Sequence, residues 1–176
     1  MGSKYRRIAD LAAETAREIV SGPGAYMAFL TTAAHHFKYG FRDQLLIYAQ
    51  RSDATACASF DFWKRYGRWV RRGAKGIALL ADDSAPYRLR YVFDQSDTGG
   101  ERAVDLWRLA PEDRDAAAAQ LRQRFGLPGT GTLSDTLREA AKYLADSCLP
   151  ACQPDAGEDF HILAVHSVAY LAAARC

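Results

Sequence analysis

At Gly67 the hydrophobic period of this chain changes. Before it, apolar side chains recur every three or four positions; after it, they alternate with polar ones. The first period belongs to helices and the second to strands, so the chain is expected to be α+β. Residues 4–20 place Ile8, Leu11, Ala12, Ala16 and Ile19 at helical spacing, and "SGPG" ends the pattern. Two more helices are expected over 24–38, with Met27, Leu30, Ala34 and Phe37 inward, and over 42–51, with Leu45, Leu46 and Ala49 inward. "SDATACA" reads as a loop. Ser59 then suits the cap of a short fourth helix, with Asp61 at its positive end and Gly67 as a left-handed stop.

Beyond Gly67, "RWVRRGAKGIALLAD", "YRLRYVFD" and "AVDLWRL" read as strands, with a turn between Gly73 and Gly76. Their connections are too short for crossovers, which predicts a small antiparallel sheet of three to four strands. In "YRLRYVFD", Tyr87, Leu89, Tyr91 and Phe93 share one face, and Arg88, Arg90, Val92 and Asp94 the other. With the apolar face on the helices, the two arginines would point to solvent. Helices are expected again near 111–126, 134–147 and 158–175. The last reaches Arg175-Cys176 with no cap or stop signal, the pattern expected of a chain cut from a longer protein. The expected organisation is a module over 1–108 and a helical extension over 109–176, with the sheet packed against N-terminal and C-terminal helices.

A composition of 49% hydrophobic and 25% charged residues argues against disorder, and 176 residues can bury a core without staples. No apolar run is long enough to span a bilayer and no signal peptide is present, so no membrane partner and a cytoplasmic location are expected. The net charge of +2 is unevenly spread. Residues 38–108 carry thirteen basic and nine acidic side chains, whereas 109–176 carry six and nine. Where the cations sit therefore matters more than their total.

They concentrate in "WKRYGRWVRRGAKG", residues 63–76. Lys64, Arg65, Arg68, Arg71, Arg72 and Lys75 are interrupted by no acidic residue, and Trp63, Tyr66 and Trp69 are threaded between them. A solvated helix end and hairpin would account for the charges. The aromatics point further, because proteins that hold single strands without sequence preference combine a cationic groove with stacking aromatics. Lys64, Arg65, Arg68, Arg71, Arg72, Lys75, Arg88 and Arg90 are the candidate phosphate contacts, and Tyr66 and Trp69 the candidate stackers. Phe60, Trp63 and Phe93 are assigned to the core by their size and apolarity.

Signs of catalysis are poor. The adjacent His35 and His36 do not share a helix face. His161 and His166 lack the four-residue spacing and intervening Glu of a zinc helix. Cys148-x3-Cys152 has no second pair, and Cys57 and Cys176 stand alone. Asp94 and Asp97 could ligate a cation, although aspartates in such a loop ordinarily form turns. A non-catalytic binding domain with no metal and no cofactor is expected. A nuclease or hydrolase would need a metal at Asp94 and Asp97.

The ordered series "DQLLIYAQ", "ATACASFDFWKRYGRWVRRGAKGIALL" and "YRLRYVFDQSDT" resembles the N-terminal domain of ArdC-type antirestriction proteins over about residues 24–108. It is closer still to the branch found at the start of large mobile-element proteins that continue into SNF2-type helicase or methyltransferase regions. The matching positions are Gln50, Trp63, Gly67, Arg68, Val70, Gly73, Lys75, Gly76, Phe93 and Asp94. The resemblance implies single-stranded DNA binding by a module that is not itself an enzyme, with downstream helicase or methyltransferase domains as further partners. The metalloprotease half of ArdC-type proteins, with its His-Glu-x-x-His helix, has no counterpart here. The rival reading is a docking module for a helicase or restriction component, using the acidic helices from residue 111 onward.

Overall fold

The computed structural model describes residues 3–81, 87–153, 155 and 157–176. The chain divides into two compact units, Met1–Leu106 and Trp107–Cys176. The first opens with α1 (Ser3–Ile19), α2 (Pro23–His35) and α3 (Phe41–Gln50). Then come β1 (Cys57–Ser59), α4 (Phe60–Arg65), β2 (Trp69–Val70), β3 (Ile77–Leu80), β4 (Leu89–Asp94) and β5 (Thr98–Gly99). One antiparallel sheet runs in the order β1-β4-β3, and β2 pairs with β5 in a separate two-stranded ribbon. Ile77 lies opposite Val92 and Leu80 opposite Leu89, so β3 and β4 form the expected hairpin. Pro86 and Asp82, the last residue of the expected "RWVRRGAKGIALLAD" segment, lie outside the described residues. The core joins Ala12, Leu46, Ile47 and Ala54 to Ile77, Leu79, Leu80 and Val92. The chain is thus α+β, with small antiparallel sheets and both N-terminal and C-terminal helices.

Three features differ from the sequence expectation. First, the "RWVRR" segment does not pair with β3. The free edge of β3 is already taken: Gln50 Nε2 donates to the Ala78 carbonyl and the Ala78 N–H donates to Gln50 Oε1, both at 2.9 Å. Trp69 and Val70 pair instead with Gly99 and Thr98. Second, β1 and β5 form in segments that read as loops, and residues 103–109 make no strand. That last segment straddles the division between the two units.

Third, β4 turns Val92 and Asp94 of the expected outer face into the core, although Leu89 of the other face packs against that core as well. Val92 and Asp94 are each 2% exposed, whereas Tyr87 is 58% and Tyr91 40% exposed. Dedicated partners make the inversion tolerable, since a buried charge is costly unless paired. Arg90 forms an ion pair with Asp43 of α3, and Asp94 is capped on all sides as described below. The outward rings meet the start of α1: Lys4 lies over Tyr91 and Tyr5 meets Tyr87 edge-on.

In the second unit a 3-10 turn, Pro111–Asp113, leads into α5 (Arg114–Phe125), which stops at a left-handed Gly126. A capping box between Thr132 and Asp135 starts α6 (Leu133–Cys152). It continues past the expected end through Pro150, whose missing N–H forgoes one i→i−4 bond, to the Asp146 carbonyl, just before the helix stops at Cys152. α7 (Glu158–Ala173) completes the unit, packing Val165 against Ala141 and Ala145. Among the described residues no helix is long and apolar enough to cross a membrane.

Candidate nucleic-acid interface

The surface is built on the turn that follows β4. Asp94 closes this turn with both carboxylate oxygens. Oδ1 accepts from the N–H groups of Thr55 (2.7 Å) and Ala56 (2.9 Å), and Oδ2 from the N–H (2.9 Å) and hydroxyl (2.6 Å) of Ser96. Burial pushes this carboxyl up, but the hydrogen bonds from Ser96, Ala56 and Thr55 outweigh it and hold it below its ordinary value. The neighbouring Asp97 accepts from Arg51 at 2.6 Å. Both aspartates are therefore engaged within the fold, and no group of three metal-ligating side chains occurs among the described residues.

Helix α4 stands on this frame. Ser59 Oγ caps it by accepting from the Phe62 N–H, and the buried Trp63 donates its Nε1–H to the Phe93 carbonyl at 2.9 Å. Trp63 is thus core, as expected, and Phe93 half-buried, whereas Phe60 is 53% exposed. Its ring falls outside because Trp63 fills the one face that a helix of six residues can bury. Gly67, at φ +84°, reverses the chain after α4 in a conformation that a Cβ would strain.

The ten candidate residues then separate by what their donors and rings already touch. Arg68 lies inside the frame. Its Nε donates to Thr98 Oγ1 at 2.8 Å, and its terminal nitrogens donate to the carbonyls of Thr98, Gly100 and Arg102. Arg90 is held by Asp43. Arg71 donates one Nη1–H to the Ser96 carbonyl at 3.3 Å and is otherwise exposed. The Tyr66 ring stacks on Phe62 at 5.9 Å and lies under the Arg102 guanidinium at 4.1 Å, while its hydroxyl donates to the Ala103 carbonyl. It is a packed ring rather than an open platform.

Lys64, Arg65, Arg72, Lys75 and Arg88 are exposed and have no hydrogen-bond or ion-pair partner among the described residues. Arg88 sits apart from the other four. It faces Ala81 at one end of the β3–β4 hairpin, and Lys75 precedes β3 at the other. The four residues of β3 alone put on the order of 13 Å between those ends.

Trp69 is the open aromatic, 61% exposed. Its indole rests on Gly99, where a Cβ would stand 2.9 Å from Nε1 and 3.0 Å from Cε2. The glycine is needed because the cross-strand ring occupies the space of a side chain. Two shallow concavities flank this surface. One of about 520 Å³ is lined by Gly67, Trp69, Glu101 and Arg102. The other, of about 710 Å³, is lined by Tyr48, Gln50, Arg51, Asp53, Lys75 and Gly76 among others.

No protein-family model, curated protein or solved structure matches the chain. The functional reading therefore rests on the geometry of this surface and on the sequence resemblance.

Sequence reasoning missed Glu101 and Arg102, which come to Trp69 only through the β2–β5 pairing, a contact with no local signal. The remaining titratable groups serve the core. His36 is buried with Nε2 at 3.1 Å from the Ala54 carbonyl; burial lowers its pKa against the opposing pull of that carbonyl and of Asp94. Burial pushes the Cys57 thiol up to about 12, which leaves it protonated and inert at neutral pH. In the second unit His161 pairs with Asp146 at 3.1 Å, and Cys148 is exposed; the Cys152 side chain lies outside the described set.

Proposed function

We propose that the Met1–Leu106 unit binds single-stranded DNA without enzymatic action of its own, in the manner implied by its resemblance to ArdC-type domains. Trp69 stacks a base, and Lys64, Arg65, Arg72 and Lys75 hold phosphates, with Arg71 as a partly engaged neighbour. The observation that carries this reading is the Trp69 indole, seated on Gly99 and open to solvent, among cations that the fold itself does not use. Stacking contributes ~1–3 kcal/mol per base and needs an unpaired base. Phosphate contacts add a salt-dependent term through counterion release.

Fluorescence anisotropy with labelled oligonucleotides over a series of salt concentrations tests the proposal. Single strands should bind more tightly than duplexes of equal length, and affinity should fall as salt rises. Equal affinity for both forms would reduce the site to a generic cationic surface.

A second reading draws on the other unit. Phe160, Ile162 and Leu163 in the first turns of α7 are 46%, 48% and 47% exposed. Exposed apolar side chains so close together fit a protein-docking surface. Retention of a helicase or restriction component by residues 107–176, lost on Leu163→Asp, would favour that reading.

A further inference from the structure

The concavity beside Trp69 has a chemistry unlike that of the surrounding surface. Glu101, one of its four lining residues, is exposed and has no hydrogen-bond or ion-pair partner among the described residues. A carboxylate beside a phosphate track repels it, so a surface that only held a backbone would be weakened by one here. Arg102 lines the same concavity but forms no ion pair with Glu101. That guanidinium lies 4.1 Å over the Tyr66 ring, and the Arg102 carbonyl accepts from Arg68. The pocket therefore offers an aromatic wall and a two-oxygen acceptor, at a volume of about 520 Å³ that admits a single nucleobase.

A carboxylate is best matched by two donors side by side. Guanine carries such a pair on its Watson–Crick edge, the ring N1–H and the 2-amino group. Thymine has one ring N–H flanked by carbonyls that repel a carboxylate. Adenine and cytosine each set one amino group beside an acceptor nitrogen. Single strands expose these edges for direct readout. We propose, building on the single-strand reading above, that this pocket selects guanine: the base stacks on Trp69 and its N1–H and N2–H groups donate to Glu101. The surface then has a base preference at one position and none along its phosphate track.

The test uses four labelled thymidine oligomers that differ at one central position, dG, dA, dC or dT. The dG oligomer should bind at least about fivefold more tightly than the dT oligomer, the low end of discrimination by a paired contact. Glu101→Gln should bring that ratio to about one, because its amide sets a donor against a guanine donor, while loss of the charge tightens binding of all four. Free dGMP should fail to displace the dG oligomer at equal concentration, since it lacks the neighbouring phosphates. Displacement by dGMP would overturn the assignment to a strand. Equal affinity for the four oligomers, or a dG preference that survives Glu101→Gln, would overturn guanine selection and leave single-strand binding standing. Failure of all four to bind at low salt would overturn both.

Discussion

The turn at residues 94–98 and the surface from Lys64 to Lys75 are both rich in charge, yet they use it in opposite ways. In the turn, Asp94 and Asp97 have partners within the fold, as do Arg51 and Arg68, which reach into it from outside, and Thr98 is 1% exposed with its hydroxyl both donating and accepting. On the surface, Lys64, Arg65, Arg72 and Lys75 have none among the described residues. A run of cations that looks uniform in sequence is therefore two populations. One ties backbone carbonyls together and is part of the architecture. The other is left to whatever anion approaches.

That contrast breaks most readily at Asp94. Asp94→Ala leaves the Thr55 and Ala56 N–H groups without their acceptor and should lower stability by about 3 kcal/mol, the order expected for hydrogen bonds to a buried charge. A shift of the urea midpoint worth less than about 1 kcal/mol would show that the turn is not a keystone. The same group sets an acid limit. Its folded pKa is lower than its unfolded one, so its contribution is complete above the unfolded value of ~3.9 and is lost as pH falls through the folded value. His36, also depressed when folded, adds a loss that begins below its unfolded value of ~6.5. Urea midpoints should therefore decline from pH 6.5 downward, and Asp94→Asn should remove the steepest, most acidic part of that decline.

Arg68→Ala should behave like the turn, losing about 2 kcal/mol of stability with no selective change in the salt dependence of DNA binding. Trp69→Ala should behave like the surface, weakening single-strand binding by ~1–3 kcal/mol with stability held within about 1 kcal/mol. A collapse of its circular dichroism spectrum would move Trp69 into the architectural group. Replacing Arg72 and Lys75 together by Ala should flatten the plot of log K against log salt by ~1.4, at ~0.7 per phosphate contact. The smallest effect is expected at Arg90: Arg90→Ala should leave that slope unaltered, because its guanidinium faces Asp43. A flatter slope in this variant would return β4 to the interface.

The helices of the first unit were legible because their apolar spacing is local, and the observed α1 to α4 begin and end within a few residues of the expected bounds. The β3–β4 hairpin was legible for the same reason. What escaped depends on contacts distant in sequence. β1 and β5 are three and two residues long, too short to display a period. The inverted face of β4 is set by Asp43 and Thr55, which lie 47 residues before Arg90 and 39 before Asp94. No alternation rule contains those partners. The candidate stackers divided likewise: Tyr66 is covered by Arg102 from a later loop, while Gly99 leaves room for Trp69.

Gln50 has a consequence that reaches past its own two hydrogen bonds. A side-chain amide is chemically a peptide group with no chain on its far side. Set against Ala78, it imitates one rung of a neighbouring strand and then stops. Sheets ordinarily grow at such margins, by recruiting a copy of themselves or a stray extended segment. Here growth past β3 is terminated by a counterfeit that cannot be lengthened, so one residue closes that margin of the sheet.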